Sequence, residues 1–515
     1  MTIHYDTIII GAGQNGLVAA AYFAKQGKKV LVLERRAILG GSVVTESFAE
    51  DPRKGSDGFA VDSVHTGGML RPDIIKDLKL SLPASTTPAA PLSARPAFIS
   101  LQPDGKHLIL NAESIKQFSE KDAARFPEFV RFMDKAAGIL EKTYATIMPR
   151  LPKDFDLRDG MGLARWGIGL RLAGRKDMLN FIRALPMTAQ ELVEEYFESE
   201  IVKAAIASVA IHSSTLGPMS AGTGYTLIHN WMNRGGLAHV NVGNAGAITQ
   251  ALAIAVKSFG GEIRTEAEVE RIQVDTYTCK GVVLKNGEEI FADKVVSAAD
   301  PKHTLLKLVG PRELPPEFVW HAQSIKMRGS VAKVHLLTDG NHGIPAGTLV
   351  VAPSIKYLEK AYDCAKYGEI SENPYLEVTT TGNTVSIHFQ FAPFNLKLGT
   401  PRQSSGQAWN MERETIEDLA ITTLAEHFPN LKSKIVNRKS LTPKDLEDIY
   451  GLTEGDLNHG QLMLDQFLFM RPMPGWSNHR TPIDNLYLCG SGIHGGGGVS
   501  GAAGRNAARV IMKGA

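Results

Sequence analysis

Three glycines near the start of the chain leave few folds open. Gly11, Gly13 and Gly16 stand in G-x-G-x-x-G spacing within GAGQNG. They follow Tyr5 to Ile10, whose β-branched run Ile8, Ile9, Ile10 predicts a buried strand of a parallel sheet. Asn15 to Gly27 is Ala-rich, with Leu17, Ala20, Ala21 and Ala24 at helical spacing, and Lys29 to Glu34 (KVLVLE) predicts a second strand. A glycine triplet at the turn of such a βαβ unit has a physical purpose at each position. The first permits the tight turn, the second lets a pyrophosphate approach the backbone, and the third lets helix and strand pack closely. Glu34 ends the second strand 23 residues after Gly11. A carboxylate there accepts hydrogen bonds from an adenosine ribose and repels a 2′-phosphate. The chain therefore predicts a dinucleotide site, without separating NAD from FAD.

Two further glycine clusters make that separation. Glu34, Arg35 and Arg36 lead into Gly40-Gly41, a second loop open to close backbone approach, and GFAVDSVHTGG follows with Phe59, Asp62 and His65. Near the other end, a predicted strand Asn485 to Cys489 runs into Gly495 to Gly498 and a predicted helix from Val499 to Lys513. Glycines ahead of a helix N-terminus leave N–H groups uncovered for an anionic phosphate or a reduced flavin. These clusters account for much of a glycine count of 50 in 515 residues, above the usual usage of about 7%.

The string GAGQNGLVAAAYFAKQGKKVLVLERRAILGG resembles the start of flavoproteins in the phytoene desaturase and amine oxidase superfamily. LYLCGSGIHGGGGVSGAAGRNAARV resembles the flavin-contacting end of its phytoene desaturase-related branch, with Gly495 where the branch carries proline. EVERIQV is similar to the strand whose Val269 backbone meets the adenine, and residues 441–488 resemble the pre-terminal pattern of the branch. The resemblance implies FAD as cofactor, held by Gly11, Gly13, Gly16, Glu34, Arg35, Gly40, Gly41, Val269, Gly490, Gly497, Gly498 and Val499. It also implies an α/β fold, a Rossmann-like FAD-binding domain with an inserted substrate domain of mixed sheet plus helical cap. The expected division is 1–75, 236–300 and 446–515 for the discontinuous FAD domain, 76–235 for the helical cap, and 301–445 for the substrate-binding sheet.

Within the cap, Ser119 to Lys142 and Met187 to Val209 predict helices. Leu157 to Met178 places Leu163, Trp166, Leu170 and Ala173 at helical spacing among four arginines, the pattern of an interfacial helix or of a cap helix with a basic face. Between Gly246 and Asp300 the pattern is α/β, with Asn286-Gly287 as a hairpin turn. Val331–Leu337, Thr348–Ala352, Glu377–Thr381 and Thr384–Phe391 predict strands, and Glu412–Phe428 a helix.

The candidate catalytic residues are Lys333 and His494. Lys333, in GSVAK, resembles the lysine that flavin amine oxidases set near the flavin through a water, where its charge would stabilise reduced flavin or developing superoxide. His494 directly precedes the terminal glycine run. Arg471 in MRPMPG reads as a structural ion-pair partner, and Asp465 and His459 are weaker candidates. No nucleophile elbow, H-E-x-x-H or EF-hand pattern occurs, so metal chemistry is not expected. So thin a constellation agrees with an oxidoreductase whose flavin carries the chemistry, and the resemblance implies one that takes a hydride from a small hydrophobic, isoprenoid or lipid-like substrate and hands electrons to O2 or a quinone. A flavin amine oxidase and a non-catalytic flavin-stabilised interaction protein are the alternatives. Fifty-six Lys and Arg against 54 Asp and Glu leave no global field for nucleic acid. Three scattered cysteines and no predicted membrane span point to a reducing, cytoplasmic location. Peripheral membrane contact and a homo-oligomer stay open.

Overall fold

The computed structural model describes residues 4–48, 58–83, 95–149, 157–172, 174–340, 342–396 and 406–513. The glycine-rich turn lies where expected, between the strand His4–Ile10 and the helix Gln14–Lys25, and Val30–Leu33 is the second strand. These strands pair in parallel, with Ile9 opposite Val32 on one side and Val296 on the other. The sheet runs Glu262–Arg264, Val30–Leu33, His4–Ile10, Glu289–Ser297, Thr278–Leu284, Val269–Asp275. Leu486–Leu488, from the far end of the chain, also pairs in parallel with Glu289–Ser297. The apolar runs are buried on both faces, as a doubly covered parallel sheet demands. One face is covered by the helices Gln14–Lys25, Ala245–Ser258 and Ala502–Lys513, which share a core with Ile9, Val32 and Val296.

A second sheet of seven strands is ordered Ile435–Leu441, Val331–Thr338, Thr384–Gln390, Leu376–Thr381, Thr348–Val351, Phe98–Leu101, Leu108–Ile109. Its last two strands come from within residues 76–235, so that stretch is not wholly helical: it completes the sheet built by residues 301–445. Alternation along the strands gives this sheet two unlike faces. Ala332, Val334, Leu336, Val385, Ile387, Phe389 and Val378 pack with Ile416, Ala420 and Leu424 of the helix Gly406–His427. The opposite face carries Lys333, His335, Glu377, Thr379, His388 and Gln390, and it too is buried.

The cap departs from expectation wherever a local signal interrupts the helical period. Met187–Val209 is two helices, Ala189–Glu194, opened by a Thr188–Glu191 capping box, and Glu200–Ile211, which begins anew after Ser199 in extended backbone. Leu157–Met178 is likewise two: Leu157–Leu172, and Arg175–Ala184 beginning after Gly174. Ala173 lies outside the described residues. Trp166 turns inward and donates to Thr143 Oγ1 at 2.9 Å, while Met161, Ile168, Leu172, Leu179 and Ile182 stay exposed, Leu172 to 80%. The long helix Glu120–Tyr144 starts at a Ser119 cap and sends Phe126, Phe129, Met133 and Leu140 into the cap core. Phe129 meets Trp231, Phe197 and Tyr196 edge-on, at centroid distances of 5.9, 5.2 and 5.3 Å. Phe129→Ala, which empties the centre of that cluster, is expected to lower stability by about 3–5 kcal/mol in chemical denaturation.

Candidate functional site

A groove of about 1030 Å³ opens at the carboxyl ends of the parallel strands, as expected for an open α/β sheet. Its lining includes Gly11, Gly13, Glu34, Arg35, Gly41, Val269, His459 and Ser491, so four separated stretches of chain meet there. The N-terminus of Gln14–Lys25 faces it without a side-chain cap, because Gly13 has none to offer. The first N–H groups of that helix therefore lack an intrahelical acceptor and suit a phosphate. A Cβ on Gly13 would meet nothing within 4 Å, whereas one on Gly16 would lie 2.2 Å from Gly11 O. The second glycine thus keeps open space, and the third lets the backbones touch. Glu34 is buried and accepts from the Ala12 and Arg36 amides at 2.8 and 3.0 Å, which orients the carboxylate at the groove. Arg35 donates to Asp448 O and Ile449 O, at 3.1 and 2.6 Å, and so ties the mouth of the groove to the C-terminal segment. Gly40 donates to Ala12 O at 3.0 Å and holds the second glycine loop against the first.

The terminal glycine loop is more deeply packed than a bare N-terminal cradle. Its helix begins at Ala502, not Val499, and a Cβ on Gly497 or Gly498 would strike His229 or Asn233 of the helix Thr223–Arg234. Gln14 Nε2 donates to Gly498 O at 3.0 Å, which fastens the loop to the first helix. Gly490 abuts Ala298 O and Ala299 O, and Val499 packs against Gly68. Gly495 has φ +83°, a value proline cannot adopt, so glycine in place of the branch's proline follows from the backbone here.

A second, inner cavity, with about 40 Å³ open to water-sized molecules, is bounded by Gly498 and Val499 on one side and by His65, His212, His229, His239 and Arg234 on others. Behind it, Lys333, His388 and Glu377 stand in register on three successive strands of the second sheet. Lys333 Nζ lies 3.0 Å from His388 Nδ1, and the His388 ring stacks on His212 at 4.1 Å. Glu377 is met by Arg234 Nη2 at 2.8 Å, His239 Nε2 at 2.6 Å and His212 Nδ1 at 3.1 Å. Burial alone would push the Glu377 carboxyl up, but Arg234 and the two imidazoles hold it well below the usual range. Burial lowers the Lys333 ammonium to about 8, and His65 and His229 to about 3.

Lys333 is therefore buried behind the inner cavity and is not among the residues lining it. His494 lines neither cavity. Its Nε2 faces Thr143 O at 3.2 Å, its ring meets Tyr144 edge-on, and burial lowers it to about 4. Arg471 is buried but is not an ion-pair partner as expected: it donates to the carbonyls of Asn458, Gly460, Gln461 and Ser491, joining the C-terminal loops. Asp465 pairs with Lys326 at the surface. Sequence reasoning missed Glu377, Arg234, His212, His239 and His388. The available signal was the row of polar residues alternating with apolar ones along the strands, ordinarily the mark of a solvated face.

A family model described as flavin containing amine oxidoreductase matches residues 16–512. The chain belongs to that family. It is 32% identical to the pyridine nucleotide-disulfide oxidoreductase domain-containing protein 2 of Rattus norvegicus, over 99% of this chain and 93% of that protein. It is 25% identical to the lycopene-forming phytoene desaturase of Pantoea ananas, over 97% and 96%. The fold is that of an oxidoreductase from Methanosarcina mazei, at TM-score 0.56, 17% identity and coverage of 99% and 100%. It is also that of a putrescine oxidase bound to putrescine, at TM-score 0.57, 16% identity and full coverage of both chains. This flavoprotein is an FAD-dependent oxidoreductase, and its groove offers an uncapped helix N-terminus, the buried Glu34 carboxylate and an open glycine, features that fit FAD. Gly13→Val is expected to fold, as circular dichroism would show, but to retain FAD at least about tenfold more weakly. Gly16→Val, which drives a Cβ into Gly11 O, is expected to fail to fold.

Proposed function

We propose that this flavoprotein removes a hydride and a proton from adjacent carbons of a hydrophobic, isoprenoid or lipid-like substrate, leaving a carbon–carbon double bond. The observation that favours this reading over oxidation of an amine is the wall of the inner cavity. It holds four histidines and Arg234, with no tyrosine, tryptophan, phenylalanine or carboxylate among its described residues. A protonated amine gains nothing from such a wall, whose formal charge is positive. Bound FAD supplies the hydride acceptor, and O2 or a quinone re-oxidises it. His239 is the group suited to hold the departing proton. Burial and then the Arg234 charge lower it, and the ionised Glu377 carboxylate at 2.6 Å opposes that shift, so the proton would rest there only in passing. Relatives of similar span support the substrate class. Besides the phytoene desaturase, one component of the limonene dehydrogenase of Castellaniella defragrans is 24% identical over 99% of this chain and 94% of its own length.

Oxidation of a C–N bond is the second reading, and Lys333 favours it. Anaerobic bleaching of the flavin by terpenes, polyenes and long-chain lipids, without bleaching by an amine panel, is expected. His239→Gln should slow that bleaching by about 10²-fold. Hydrogen peroxide release with amines, lost in Lys333→Met, would establish the amine reading instead.

The same substrate class bears on location. Among the described residues no helix is long and apolar enough to cross a membrane. The exposed Met161, Ile168, Leu172, Leu179 and Ile182 lie amid Arg165, Arg171, Arg175, Lys176 and Arg183, which suits peripheral docking on an anionic bilayer. Phosphatidylglycerol vesicles are expected to co-float the protein, and Ile168→Glu with Leu172→Glu to abolish co-flotation at unchanged stability.

A further inference from the structure

We propose that the inner cavity binds the carboxylate end of an oxygenated lipid-like substrate, with Arg234 and the His65 imidazole as its recognition site. The inference rests on the functional reading above and deepens it, because a pure hydrocarbon would leave this wall without partners. Arg234 is the one charged side chain lining the cavity among the described residues. It is 2% exposed. Its Nη2 is held by Glu377 and its Nη1 by Leu237 O at 3.2 Å, but its Nε has no hydrogen-bond partner. A buried guanidinium with an open donor costs free energy unless a ligand satisfies it, and a carboxylate matches its geometry.

One imidazole of the wall can join Arg234: the amide N–H groups of Asn230, Asn233 and Asn458 and both ring nitrogens of His229 already have partners within the protein. His65, kept uncharged by burial, offers an N–H or a lone pair as its tautomer allows. Lys333, on the strand behind, adds a second cation close enough to His388 to polarise it, and the single Glu377 carboxylate does not line the cavity. His212, His239 and Glu377 also bring ligand atoms within 4.8 Å of one another, a spacing compatible with a metal ion. Arg234 already occupies Glu377, however, and Lys333 stands behind, so a divalent cation would enter a region of positive charge. The balance of charge favours an anion.

The test uses the FAD-reconstituted full chain at neutral pH, titrated with decanoate, decanol and decylammonium and followed by the flavin difference spectrum and by equilibrium dialysis. Decanoate is expected to bind saturably and at least about tenfold more tightly than decanol, with no binding of decylammonium. Arg234→Met should erase the preference for decanoate. Since Arg234 also neutralises Glu377, His65→Leu serves as a second variant, expected to weaken decanoate by about tenfold and decanol little. Equal binding of decanoate and decanol, or no binding of any probe, would overturn the carboxylate site while leaving the desaturase reading to its own bleaching test. Preferred binding of decylammonium would overturn both.

Discussion

Backbones meet at the mouth of the first sheet at distances no side chain permits. A Cβ on Gly16 would lie 2.2 Å from Gly11 O, one on Gly504 2.1 Å from Asn15 O, and one on Gly490 2.6 Å from Ala298 O. These three approaches join the first helix to its own turn, the last helix to the first, and the terminal strand to the crossover from the middle of the chain. Everything else follows from that joint. It puts the uncapped N-terminus of Gln14–Lys25 and the Glu34 carboxylate around one groove, with Ser491 from the far end of the chain, and Gln14 fastens the terminal glycine loop beside it.

The second sheet meets this joint with its polar face. In most antiparallel sheets one face packs on the core and the other meets water. Here the cap closes over the second face as well, so Lys333, His388 and Glu377 are buried in a cross-strand row. Burial of such groups is costly unless they are paired. Arg234, from the cap, supplies the pairing, and Tyr375 adds a hydroxyl 3.4 Å from Glu377. The face adjoins the terminal glycine loop across the inner cavity.

How far the chain can be read without its structure depends on the range of the forces involved. Gly11, Gly13, Gly16 and Glu34 announce a dinucleotide site because a tight turn, a close approach and a strand end are local matters. The Asn286-Gly287 hairpin and the strands from Val331 to Gln390 were legible for the same reason. Helix breaks at Ser199 and Gly174 were less legible, since a helical period persists across a residue whose non-helical backbone interrupts it. The places of Lys333 and His494 were not legible at all. Lys333 faces His388 behind the cavity and His494 faces Thr143, because a side chain's neighbours are set by elements far away in sequence.

By itself, then, the sequence determined the parallel nucleotide-binding sheet and its glycine turn, since each needs only a residue type at a fixed spacing, and its resemblance to a flavoprotein family pointed to FAD. The tertiary structure alone decided that two strands from the cap region complete the second sheet, that its polar face is buried, and that Arg234, His239 and Glu377 form one cluster. Alternating polar residues look the same in a strand whether water or a cap lies above them. Only the long-range closure of the cap over the sheet tells the two apart.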